Sequence, residues 1–233
     1  MNLLNNYGLT DRFSNEATIY PHFSLARITA QYRGLYKIIT EHGEMQAEIS
    51  GKFRYETTEL AKFPTVGDFV MVSVDNSESN AIIHHVLTRK SVFLRTAVGV
   101  SGQAQSVAAN IDTVFICMSF NHNFNLSRLE RYLSVAWDSG ATPVVLLTKS
   151  DLCDDLVKAV KDVERVSSFS DVISLSVFDE NVEQKLSKYL KAGITSALIG
   201  SSGVGKSTLI NKLLGEEILA TADIGKADKG RHT

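Results

Sequence analysis

One octapeptide, Gly200-Ser201-Ser202-Gly203-Val204-Gly205-Lys206-Ser207, limits what this chain can fold into more than any other stretch. Its G-x-x-x-x-G-K-S spacing lets successive backbone N–H groups turn inward around a phosphate, while the helix that follows aims its N-terminus at the same charge. The flanks meet that requirement. Ser196–Ile199 reads as a short strand and 206–214 as a helix, which is the strand-loop-helix setting a phosphate loop needs. In that setting Gly200 to Gly205 form the cradle, Lys206 bridges the β- and γ-phosphates, Ser207 gives its hydroxyl to magnesium, and Thr208 follows in the first helical turn.

The rest of the C-terminal half keeps the same rhythm. Apolar runs at 113–118, 143–148, 172–176 and 196–199 alternate with helical patterns at 126–138, 156–166, 182–190 and 206–214. That alternation predicts a doubly wound α/β sheet. The N-terminal half reads differently. Period-two alternation recurs in 44–49 and 68–74, and strands are expected at 26–32, 36–40, 44–50, 68–74 and 81–87, a number and spacing that suit an OB-fold barrel. Between the halves, 91–109 is rich in Ser, Ala, Gly and Gln, so the expected division is a barrel domain with an N-terminal arm over 1–90, a linker over 91–108 and an α/β domain over 109–233.

A phosphate loop does not read the base. Upstream, Thr148-Lys149-Ser150-Asp151 follows the run Val144-Val145-Leu146-Leu147 and resembles the Asn-Lys-x-Asp guanine motif of GTPases. A carboxylate at a strand end can accept both N1–H and the 2-amino group of guanine, a donor pair that adenine lacks, and the Lys149 stem can cover the ring face. At the end of the next expected strand, Ser176 and Val177 stand where GTPases place a loop whose backbone meets the guanine O6. Both base-reading segments precede the phosphate loop, the reverse of the usual GTPase order, so the domain reads as circularly permuted.

Charge and composition exclude some classes. With 24 Lys+Arg against 26 Asp+Glu the chain is not a strongly basic nucleic-acid binder, and any RNA contact must be local, at Arg89, Lys90 and Arg95 or at Lys226, Lys229 and Arg231. No stretch of about 18 apolar residues is present, and residues 1–10 lack a secretory signal pattern, which makes the cytoplasm the expected compartment, with no membrane role. Cys117 and Cys153 lack zinc-ligand spacing and read as free thiols. His84 and His85 are expected to alternate faces of one strand. Tyr32, Tyr36, Phe53, Tyr55 and Phe69 are candidates for base stacking, with core packing the alternative for most of them.

The barrel, the permuted guanine segments, the phosphate loop, Ala109-Asn110-Ile111-Asp112 and Lys229-Gly230-Arg231-His232-Thr233 together resemble the RsgA (YjeQ/EngC) family of ribosome-small-subunit-dependent GTPases. Thr148 departs from the usual Asn of GTPases. The resemblance implies GTP and GDP as ligands, with magnesium, and hydrolysis stimulated by the small ribosomal subunit during its late maturation. It also implies a barrel that touches ribosomal RNA, and a monomer. It makes Thr233 a candidate magnesium-binding switch residue and His232 a candidate for orienting water. Family members continue with an Asp-x-Pro-Gly motif and a zinc domain, so the chain is expected to be a portion of a longer protein, impaired in hydrolysis by itself, with zinc only in the part beyond it. Two other readings stay open on the residues alone: an ATP-dependent P-loop protein, and an RNA-binding module with a structural or vestigial nucleotide site.

Overall fold

The computed structural model describes residues 2–74, 80–97, 102–120 and 124–219. These fall into two compact units, one drawn from 1–113, 136–141 and 189–196, the other from 114–135, 142–188 and 197–233.

The first unit begins with a 3-10 turn at Leu3–Tyr7 and helix α1 (Asp11–Ala17). Strands β1 (Ser24–Gln31), β2 (Tyr36–Thr40), β3 (Gly43–Ile49), β4 (Phe69–Val74) and β5 (Asn80–Val86) follow, with helix α2 (Gly51–Glu56) between β3 and β4. The strands close in the order β1-β2-β3-β5-β4; β3 and β5 pair in parallel and the other neighbours antiparallel. This is the five-stranded barrel expected from the sequence. Period two explains its two cores. Ala26, Ile28, Tyr36, Ile38, Ala47, Val70, Val72, Ala81 and Ile83 fill one cluster. The alternate residues of β4, Phe69 and Met71, point the other way and are covered with Leu87 by Phe13 of α1, whose ring centroid is 4.3 Å from that of Phe69. Burying each such side chain contributes about 1.5–3 kcal/mol. The N-terminal arm is therefore a helical lid on β4, fixed by the one large apolar residue in Asp11–Ala17.

Two expectations change here. The segment 91–108, expected to be a linker, holds the antiparallel strands β6 (Val92–Thr96) and β7 (Ala104–Ala109). The mostly small and polar residues of β7 hid the pairing from the apolar pattern. Gly67, with φ +92°, sits where a Cβ would lie 2.0 Å from the Ala109 carbonyl oxygen, a contact and a conformation open only to glycine. His84 and His85 do not divide between faces. The β4–β5 register shifts between Met71 and Val72, and both imidazoles meet the Phe23 ring, at 4.5 and 5.5 Å. A bulge cancels the alternation that strict period two requires.

Charged groups are internal around β4 and β6. Asp68 is fully buried and the Arg89 side chain is 15% exposed; Arg89 Nε donates to Asp68 Oδ1 at 2.8 Å and Nη2 to Oδ2 at 2.7 Å. Burial pushes the Asp68 carboxyl above its ordinary value, and the bonds from Arg89 pull it back. Arg89 also donates to the carbonyls of Ala61 and Phe63. Lys90 pairs with Asp112 at 2.5 Å. Neither cation is the free RNA contact that the local sequence suggests, because each is paired with an acid 21 or 22 residues away along the chain.

Most of the second unit comes from an alternation of β8 (Thr113–Ser119), α3 (Leu126–Ser139), β9 (Thr142–Thr148), α4 (Leu156–Val166), β10 (Asp171–Ser174), α5 (Val182–Leu186), β11 (Ser196–Ile199) and α6 (Lys206–Leu214), of which Thr113, the last turn of α3 and Ser196 fall in the first. Its sheet has the order β10-β9-β8-β11, with β9 and β10 parallel, as an α/β fold requires. All of β8 is buried, and so is β9 after its first residue, which is why they read as continuous apolar runs.

Candidate functional site

The site forms where β9, β10 and β11 end, the edge at which open α/β sheets bind ligands. Thr148 closes β9 and is buried. Its hydroxyl donates to the Val204 carbonyl at 2.6 Å, and the Met118 carbonyl lies 3.4 Å away. One side chain thus ties the Thr148–Asp151 segment to the phosphate loop across 56 residues of sequence. Lys149 then turns into the left-handed region at φ 59°, and Ser150–Leu152 forms a single 3-10 turn that leaves Asp151 exposed.

The loop after β10 holds that carboxylate in place. Ser176 is buried, and its hydroxyl donates to Asp151 Oδ1 at 2.5 Å. The Ser176 N–H donates to Asp179 Oδ2 at 3.1 Å, and Lys185 Nζ reaches the same oxygen at 2.8 Å and the Ser174 carbonyl at 3.1 Å. Lys185, and after it the Ser176 N–H, hold the Asp179 carboxyl below its ordinary value. The Ser176 N–H, the backbone group expected to face the base, donates to Asp179, and its hydroxyl donates to Asp151. Val177 follows, half-buried, in the turn. The Asp179–Lys185 clasp was not anticipated, although Ser-x-x-Asp at a strand end is a turn signal.

The phosphate loop leaves β11 at Gly200, whose φ is +148° and where a Cβ would lie 2.4 Å from the Cys117 carbonyl oxygen of β8. Any larger residue would push the loop off the sheet. Cys117 is a wall, not a nucleophile: burial raises its thiol to about 12. Val204 is buried, Ser201, Gly203 and Ser207 are half-buried, and Ser202 and Thr208 are exposed. Gly205, left-handed, caps α6, which is anchored by the buried Leu209. Lys206 Nζ folds back onto the carbonyls of Gly200 and Ser201, at 2.9 and 2.8 Å. An ammonium held, among the described residues, by two carbonyls of its own loop can exchange them for phosphate oxygens at small cost. The glycine cradle and this lysine fit a nucleotide phosphate.

Among the described residues no group of three or more His, Cys, Asp or Glu could hold a metal ion. No helix among them is long and apolar enough to cross a membrane. His232 and Thr233 lie outside the described residues, as do Lys226, Lys229 and Arg231. Of the aromatic candidates, Tyr36 and Phe69 are core residues, whereas Tyr32 and Tyr55 are exposed.

Comparison with known proteins agrees with this arrangement. The sequence model of the family described as RsgA GTPase matches residues 86–233. A relative from Lactiplantibacillus plantarum named small ribosomal subunit biogenesis GTPase RsgA 2 is 48% identical over 97% of this chain and 64% of its own length. One of the same name from Listeria monocytogenes is 43% identical over 99% of this chain and 64% of its own. The chain therefore spans less than two thirds of these relatives. In fold it resembles the crystal structure of YjeQ from Thermotoga maritima, with TM-score 0.66 and 24% identity over 82% of this chain and 65% of that one. It also resembles that of YloQ, a circularly permuted GTPase, with TM-score 0.61 and 20% identity over 82% of this chain and 64% of that one. A barrel, a permuted order of segments around one sheet edge and a family match over most of the chain lead to one conclusion: the chain belongs to the RsgA GTPase family.

Proposed function

We propose that this chain is the nucleotide-binding portion of a GTPase acting in maturation of the small ribosomal subunit. The observation that carries the reading is the Thr148–Val204 bond, which brings the Thr148–Asp151 segment and the phosphate loop into one site. Asp151, oriented by Ser176, accepts N1–H and the 2-amino group of guanine. Lys149 lays its stem over the ring, and the Val177 N–H takes the O6 contact that Ser176 cannot make. The N–H groups of Gly200 to Gly205 surround the phosphates, and Lys206 moves from its loop carbonyls to the β- and γ-oxygens. Ser207, in the first turn of α6, holds magnesium, with Thr208 behind it. When bound, that ion neutralises charge shared by the β- and γ-phosphates. Thr233 as a second magnesium ligand and His232 as a residue orienting water belong to the same proposal. The residues contribute chiefly by positioning and charge stabilisation.

The barrel, residues 1–90, is the part proposed to meet ribosomal RNA, with exposed Tyr32 and Tyr55 as its stacking candidates. Residues 109–233 are the proposed nucleotide half, and a monomer in the cytoplasm is the proposed working state.

Competition against fluorescent GDP in the presence of magnesium tests the base assignment. Unlabelled GDP and GTP should displace the probe and ADP should not. Asp151→Asn should weaken GDP about ten- to hundredfold, because a charge-assisted hydrogen-bond pair is lost. The same change should strengthen a xanthine nucleotide, whose 2-oxo group accepts from the new amide. Equal displacement by ADP overturns the guanine assignment.

A further inference from the structure

Phe178 is the residue that the site described so far leaves without a task. Its side chain is 81% exposed, on a turn fixed at both sides: Ser176 is buried before it, and Asp179 after it is held by Lys185 and by the Ser176 N–H. A large apolar ring presented to water on a clasped turn is not a core residue. Its position relative to the base site is close. The Phe178 N–H donates to Ser176 Oγ at 3.3 Å, and that hydroxyl donates to Asp151 Oδ1 at 2.5 Å. The ring is thus carried two hydrogen bonds from the carboxylate assigned to the edge of guanine, next to Val177.

We propose that Phe178 is a base-binding residue that stacks on one face of the purine, opposite the face covered by the Lys149 stem. This rests on the guanine reading of Asp151. The chemistry separates the two residues' tasks: the carboxylate reads the hydrogen-bonding edge, whereas a ring grips any purine through its π-face. Asp179 and Lys185 then have a purpose beyond closing a turn, since they fix where the ring is offered.

The test is the same displacement titration with Phe178→Ala, Phe178→Tyr and Asp151→Asn, using GDP and IDP. Because the side chain is exposed, its removal leaves the fold intact. Phe178→Ala should raise Kd about tenfold for GDP and by the same factor for IDP, since stacking does not depend on the 2-amino group. Phe178→Tyr should stay within about twofold of the unaltered chain, as the ring is kept. If Phe178→Ala binds GDP as the unaltered chain does while Asp151→Asn loses it, the stacking role is overturned and the guanine reading stands. If Asp151→Asn also binds GDP unchanged, or the unaltered chain binds none, the guanine reading falls and this inference falls with it.

Discussion

Gly67 and Gly200 meet the same steric problem in different regions, and what surrounds them differs. Each lies at positive φ with a carbonyl pressed against the place of its missing Cβ, Ala109 O at 2.0 Å and Cys117 O at 2.4 Å. Around Gly67 the polar groups satisfy one another. Its carbonyl accepts from Arg27 Nε and Asn110 Nδ2, Asp68 and Arg89 form a two-bond ion pair, and Asp112 joins Lys90 to the Thr195 N–H. Near Gly200, Lys206 is held by carbonyls of its own loop. A closed network of partners that are distant in sequence is a structural joint. A charge parked on neighbouring backbone is available to a ligand, so how a charged group is satisfied tells the two regions apart better than how many glycines they contain.

The comparison breaks most visibly if the joint is not structural. Asp68→Asn should destabilise the chain by about 3 kcal/mol in urea unfolding, the lower end for removing one partner of a buried pair, since Arg89 keeps its carbonyl partners. A loss below about 1 kcal/mol would place this pair with exposed ones. Lys206→Ala should show the opposite profile: nucleotide affinity reduced about a hundredfold through lost phosphate contacts, with stability changed by less than about 0.5 kcal/mol. A large stability loss there would make the lysine a structural member of its loop.

The smallest effect sharpens the comparison within the nucleotide site itself. The Asp179 carboxyl is held below its ordinary value of 3.8, by Lys185 first. A depressed carboxyl stabilises the fold fully above the unfolded value and loses that contribution as pH falls through the folded one. The stability difference between the unaltered chain and Asp179→Asn should therefore be constant near neutral pH and shrink below about pH 3.8. It should be modest, because both partners are about one third exposed. A difference that grew on acidification would contradict the clasp.

Much of this was legible without coordinates. Strands β2 and β11 and helices α4 and α6 have the bounds that their patterns predict, because each carries a strong local signal, either an apolar period or the phosphate loop. The unpredicted elements lacked one. β6 carries the apolar residues Val92, Phe93 and Leu94 in a row and not in alternation, and β7 is mostly small and polar, so their pairing depends on a neighbour. Helix α1 has one buried anchor, Phe13, and its partner Phe69 lies 56 residues on along the chain. At the site, residue types and order pointed to the phosphate loop and to Thr148–Asp151 as the proposed base-reading segment, since that chemistry requires particular atoms at short spacing.

The sequence by itself determined the phosphate loop, the permuted order of segments and the two-part architecture, all of which are written in contiguous residues. Only the tertiary structure decided that Arg89 is a partner of Asp68 and not a free cation, that the Ser176 hydroxyl holds Asp151, that Thr148 binds the Val204 carbonyl and that Phe178 stands beside them. The physical reason is range. Backbone conformation and amphipathic period are set within a few residues, whereas a hydrogen bond or ion pair between residues tens of positions apart exists only once the chain has brought them together.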